Sequence, residues 1–314
     1  YNWSVTVNPT GQVKIQKVDD TGKAVPGVSF RWGTDKNNLN HTTGKTGSDG
    51  TVTIRANAGM IYVQENEVPS HLIKDETVKS VQIQSGKTAS LTFTNQRVTR
   101  NVSIRKIETS TEDPIAGAKF QYWNEERPDT KYTVTTDSKG EFISSVKFPV
   151  GSQVTMEEIE AAPGYELPPE NERKQTITVS LNESDNKFTF KNTVKKLPVR
   201  LKKINERTGD PIHGGVTFNI GPNLKDPEMY EELTTGSDGT VTTKEYPHGT
   251  KLFYQEIKAP SGFQVDDTVY SVIVDASTSS EVQTVIVRNE EAPISFSIKK
   301  KGDDGRPLAG VQFR

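Results

Sequence analysis

A short segment of alternating residues that ends in lysine occurs four times along the chain: Val13–Lys17, Val102–Lys106, Val199–Lys203 and Phe296–Lys300. Each copy is followed by a polar turn and then a Gly-(Val/Ala)-x-Phe element, closing at Phe30, Phe120, Phe218 and Phe313. The four lysines stand 89, 97 and 97 residues apart. A period near one hundred residues is too long for a solenoid, whose units run to a few tens of residues, and suits a string of whole domains.

Further landmarks keep the same order within each period. A glycine turn comes mid-repeat, at Ser48-Asp49-Gly50, Ser138-Lys139-Gly140 and Ser237-Asp238-Gly239. A strand ending in Glu follows, then a Pro-Gly-aromatic turn, Ala162-Pro163-Gly164-Tyr165 and Ala259-Pro260-Ser261-Gly262-Phe263, degenerate in the first repeat as Pro69-Ser70-His71-Leu72. Each repeat closes on an alternating strand that ends in Asn95, Asn192 or Asn289. Nearly every element is a short period-two run rich in Val, Ile, Thr and aromatics, broken by Gly, Pro, Asp and Asn, which predicts an all-β chain of tandem immunoglobulin-like sandwiches in an elongated array. Helical periodicity is missing apart from single turns expected at 124–129 and 226–232. The expected division is 1–9 as the end of a preceding domain or linker, then domains at 10–97, 98–194 and 195–291, and the start of a truncated fourth at 292–314.

Composition fits several small domains better than one large core: 32% of the 314 residues are hydrophobic and 25% charged. The net charge of −2 offers no basic excess for a nucleic-acid partner, and no apolar run is long enough for membrane insertion. Cysteine is absent, so the disulfides that staple many small secreted domains are not an option. His41, His71, His213 and His248 show no metal-ligand spacing, and no cofactor is implied. Neither a Ser-His-Asp order nor a phosphate-binding glycine loop is visible, which argues against an enzyme acting on external substrate. Dispersed acidic residues form no ordered calcium loop.

Strand parity exposes the anomaly that carries function. Lys17 shares a face with Val13 and Ile15, Lys106 with Val102 and Ile104, and Lys203 with Val199 and Leu201. Glu65, Glu158 and Glu256 end the apolar stripes of the middle strands, and Asn95, Asn192 and Asn289 those of the closing strands. In the second repeat Glu157 and Glu158 are adjacent, and parity selects Glu158. Burying charge is costly unless it is paired, and low dielectric disfavours the charged forms of both Lys and Glu. A neutral lysine amine is a nucleophile, and a protonated carboxyl can polarise the Asn amide and shuttle protons. Attack on the side-chain carbonyl carbon of Asn expels ammonia and leaves an amide cross-link, a single-turnover reaction within the chain.

The ordered combination of a Lys-ending strand, Gly-x-x-Phe, Ser-Asp-Gly, Glu before Ala-Pro-x-Gly-aromatic, and Phe-x-Asn resembles the Cna B-type domain over about the whole chain. That family builds the stalks of Gram-positive adhesins and the shafts of sortase-assembled pili. The resemblance implies an inverse immunoglobulin-like sandwich and intramolecular isopeptide bonds: Lys17–Asn95 assisted by Glu65, Lys106–Asn192 by Glu158, and Lys203–Asn289 by Glu256. Asn8 and Lys300 are expected to stay unpaired. It further implies an extracellular protein anchored to the cell wall of a Gram-positive bacterium, with neighbouring domains of a longer chain as partners and peptidoglycan reached through a sorting signal outside this fragment. A structural stalk is the leading expectation. The alternative is an adhesin whose loops, such as 35–46 or 222–233, bind a host matrix protein.

Overall fold

Alternating burial along the opening strand Thr10–Asp19 sets the architecture: Val13, Ile15 and Lys17 turn inward while the residues between them face outward. The computed structural model describes residues 9–278 and 281–313; Asn8 lies outside the described residues. In the first sandwich the opening strand lies between Thr51–Asn57, antiparallel, and the closing strand Thr88–Asn95, parallel. A second sheet has the order His41–Thr42, Ser29–Gly33, Gly59–Glu67, Lys79–Ile83. Phe30, Ile61, Val63 and Phe93 fill the space between the sheets. First and last strands are thus hydrogen-bonded neighbours, so that both ends of the repeat meet in one sheet.

The same plan recurs twice. In the second sandwich one sheet has the order Glu141–Ile143, Ser103–Glu108, Lys187–Asn192, and the other Tyr132–Thr135, Lys119–Asn124, Gln153–Glu160, Lys174–Thr178. In the third, Lys196–Asn205 runs between Thr240–Pro247 and the parallel Gln283–Asn289. The facing sheet is Glu231–Thr234, Thr217–Gly221, Lys251–Lys258, Tyr270–Ile273. The chain forms two compact units. One holds the residues up to 161 with 167–191 and carries the first two sandwiches; the other holds 162–166 and the residues from 192 onward and carries the third. Among the described residues no helix is long and apolar enough to cross a membrane.

The expected helical turns lie elsewhere. The helical turns fall at Glu170–Arg173 and Glu183–Asp185, not at 124–129 or 226–232. Asn124 Oδ1 accepts the amide of Glu126, and Asp226 Oδ1 that of Glu228, so each side chain closes an Asx turn over a single backbone turn that does not continue into a helix. The degenerate turn of the first repeat keeps its place in the fold. Leu72 is buried and bridges Arg97 as Tyr165 bridges Val194 and Phe263 bridges Glu291. Residues 292–313 form no strand beyond an isolated Lys301–Pro307 bridge, and Lys300 is exposed. With no strand beside them, Ile294 and Phe296 stand 92% and 83% in solvent.

Candidate functional site: a buried Lys, Glu and Asn in each domain

The nine residues singled out by parity are all buried, none more than 3% exposed. Each lysine is presented by the opening strand and pinned there by the glycine turn. The amide of Lys17 donates to Gly50 O, that of Lys106 to Gly140 O and that of Lys203 to Gly239 O, at 2.7–2.8 Å. The approach is so close that only glycine fits: a Cβ on Gly50 would come within 2.5 Å of Lys17 O, and one on Gly140 within 2.3 Å of Lys106 O. All three glycines also hold positive φ, between 68° and 75°.

In the third domain a single carboxylate joins the other two side chains. Lys203 Nζ donates to Glu256 Oε2 at 2.7 Å, and Asn289 Nδ2 donates to Glu256 Oε1 at 2.8 Å. Asn289 Nδ2 also reaches Gln264 O at 2.9 Å, and its Oδ1 has no hydrogen-bond partner. In the first domain Asn95 Nδ2 donates to Glu65 Oε2 at 2.7 Å, and the Asp75 amide donates to the same oxygen at 2.9 Å. Lys17 Nζ lies 3.5 Å from Glu65 Oε1 and donates to Val18 O at 2.8 Å. In the second domain Lys106 Nζ donates to Glu158 Oε2 at 2.9 Å, and buried Asn192 ends the closing strand. Glu157 sits nearer the surface, 3.7 Å from Arg173. Burial pushes the pKa of Lys17, Lys106 and Lys203 below the ordinary lysine value, against the opposing pull of the paired glutamate.

The walls of the site come from residues not singled out for it by sequence. A β-bulge interrupts the pairing beside each glutamate, between Ser29 and Phe30, Lys119 and Phe120, and Thr217 and Phe218. The bulge leaves Phe30 directly opposite Glu65, Phe120 opposite Glu158 and Phe218 opposite Glu256. These rings exclude water from the carboxylate. Phe30 packs on Phe93 and Phe120 on Phe190, both with centroids 4.9 Å apart, and Lys203 Nζ lies 5.5 Å from the Phe218 centroid. Their signal was the recurrence of Phe in Gly-x-x-Phe. Among the described residues no cluster of three or more His, Asp or Glu forms a metal site.

Across residues 11–97, 100–194 and 198–290 the sequence matches the prealbumin-like fold domain of SpaA, three times over. The chain belongs to that family. The resemblance to Cna B-type repeats holds at the level of family and fold. Among solved structures, the TIE protein of Bacillus anthracis is similar at 21% identity with a TM-score of 0.51, over 90% of this chain and 51% of that one. The chain therefore spans about half the length of that protein. BcpA, the major pilin subunit of Bacillus cereus, aligns at 13% identity and a TM-score of 0.32 over 90% of this chain and 100% of its own. The shaft pilin SpaA from Lactobacillus rhamnosus GG aligns at 14% identity and a TM-score of 0.29, over 63% and 100%. A comparison with curated proteins gives no significant match.

Proposed function

We propose that the chain is a load-bearing section of a bacterial surface stalk or pilus shaft, exposed outside the cell, whose SpaA-type domains lock themselves with Lys–Asn amide bonds. The observation that carries the reading is the third domain, where one buried carboxylate touches both the lysine amine and the asparagine amide. In the reaction a proton passes from Lys203 to Glu256 along their hydrogen bond, giving a neutral amine and a neutral acid. The amine attacks Asn289 Cγ, and Glu256 returns its proton to Nδ2 as the C–N bond breaks. The second amine proton reaches the departing nitrogen through the same carboxyl, so that this nitrogen leaves as ammonium, a net loss of ammonia from the chain, and Glu256 is restored as a carboxylate. Folding holds the groups in contact and supplies most of the rate. Lys17, Glu65 and Asn95 take the same roles in the first domain, and Lys106, Glu158 and Asn192 in the second. Each domain acts once, on itself, without turnover.

A mechanical consequence follows from the topology. The opening and closing strands are parallel neighbours, and an amide between them carries tension past the sandwich. Only the eleven residues from one Asn to the next Lys can then extend, roughly 40 Å at ~3.4 Å per residue. An unlocked repeat would release on the order of 300 Å. Single-molecule stretching tests this function: extension without domain-length steps is expected, and steps of that length in every molecule would contradict it.

A further inference from the structure

Beyond the buried sites, the most tightly built polar cluster is on the link between the first two domains, both within one compact unit. Arg97 is two residues past Asn95, yet its side chain is only 8% exposed. Its Nε donates to Asp20 Oδ1 at 2.7 Å, on the first turn of the first domain. Its Nη1 and Nη2 donate to Glu126 Oε1 and Oε2 at 2.7 and 2.8 Å, a two-point contact with a loop of the second domain. Both acids are held on fixed turns. Asp19 Oδ1 accepts the amides of Thr21 and Lys23, and Asn124 Oδ1 accepts that of Glu126.

We propose that Arg97 is an interdomain latch, joining the first domain through Asp20 to an acidic loop of the second through Glu126 and fixing the angle between them. The backbone around it leaves little slack. Gln96 O accepts from Ile73 and Val98 N donates to His71 O on the side of the first domain. Val98 O accepts from Val150, and Thr99–Arg100 pairs with Phe148–Pro149 on the side of the second. A cavity of about 620 Å³ lined in part by Asp20, Arg97, Glu126, Tyr132 and Phe148 opens beside the arginine, so the faces are not sealed by apolar packing there. Arg97 is held charged by Glu126 and Asp20, and Glu126 is held below the usual carboxylate range by Arg97. The positions equivalent to 97 in the next two repeats do not repeat the device. Val194 has no charge, and Glu291 accepts from Asn205 and Arg207 of its own domain. The partner that this surface of the first domain fits is therefore a domain presenting a carboxylate where the second presents Glu126.

The chain has no cysteine, so dyes can be placed uniquely at Lys87→Cys and Glu172→Cys, one on each domain, both exposed. Single-molecule energy transfer on the whole chain should give one narrow distribution. Arg97→Ala and Glu126→Gln should each broaden and shift it, with the melting of both domains unchanged. Arg207→Ala, which breaks the ion pair inside the third domain, should leave it as in the parent. A distribution as narrow as the parent's in either Arg97→Ala or Glu126→Gln would overturn the latch and assign the junction to its backbone hydrogen bonds. The outcome does not depend on whether Lys17 and Asn95 are joined.

Discussion

Asn289 donates from Nδ2 to Glu256 Oε1 at 2.8 Å, while its own buried Oδ1 meets no donor. A buried carbonyl without a partner is a penalty that a folded protein normally avoids. The proposed reaction draws on it, because Glu256, once protonated, can shift its O–H toward Oδ1 and polarise the carbon that Lys203 attacks before Nδ2 departs. Asn95 Oδ1 is orphaned in the same way beside Glu65. Glu256→Gln keeps the shape but replaces one acceptor oxygen with a donor amide, and it cannot pass a proton. The variant is expected to lack the Lys203–Asn289 bond, which spans 86 residues, and to lose about 4 kcal/mol from the third domain by analogy with a disulfide of that loop length. Peptide mapping and chemical denaturation check both effects; a cross-linked Glu256→Gln protein would remove the proton shuttle.

Removing the electrophile with Asn289→Ala leaves Lys203 titratable inside the fold. Burial lowers its folded pKa below the ordinary 10.5, so between those two values the unfolded chain binds more protons than the native one. Stability of the third domain must then rise with pH through that window, up to the ordinary 10.5. With the proposed lock in place, Lys203 of the parent would be an amide and should contribute no such rise. Denaturant melts across the range compare the two, and a flat or falling profile in Asn289→Ala would contradict the burial argument.

The first and third sites are not equivalent. Glu65 Oε2 accepts the Asp75 amide as well as Asn95, and Lys17 Nζ stays 3.5 Å from Oε1. Lys203 already hydrogen-bonds Glu256 at 2.7 Å. Proton transfer should be slower in the first domain. In timed cell-free synthesis, followed by denaturing quench and peptide mapping, Lys203–Asn289 is expected to reach completion faster after its domain emerges than Lys17–Asn95. Synthesis order favours the first domain, so a lag there would be diagnostic. Faster closure of Lys17–Asn95 would refute the ranking.

Glu112 holds φ at 59°, the left-handed region where the matching turns place Gly22 and Gly209. A side chain there carries strain, offset only by an exposed 3.4 Å contact with Lys191. Glu112→Gly should stabilise the second domain by up to about 1 kcal/mol, the strain relieved outweighing the added freedom of the unfolded chain. Its melting transition reports the result, and a clear loss of stability would mean the turn is relaxed as it stands.

Repetition and parity made the sandwich plan and the Lys, Glu and Asn positions legible, because a period-two strand turns a residue number into a face. The bulges beside Phe30, Phe120 and Phe218 were hidden, since a one-residue slip depends on the partner strand and not on the local pattern. Leu72 in place of an aromatic was equally opaque: its role is defined by the Arg97 bridge across the turn. Arg97 itself escaped notice because it does not recur. The alternation of Ile294, Phe296 and Ile298 is that of a strand, yet these residues stay exposed where no strand pairs with them.

Intact mass of the purified chain under denaturing conditions tests the covalent lock most directly. The predicted result is a deficit of three ammonia masses, assigned by peptide mapping to Lys17–Asn95, Lys106–Asn192 and Lys203–Asn289. A mass equal to that of the unmodified sequence would leave three SpaA-type sandwiches but contradict the lock, and with it the chemical purpose of their buried lysines.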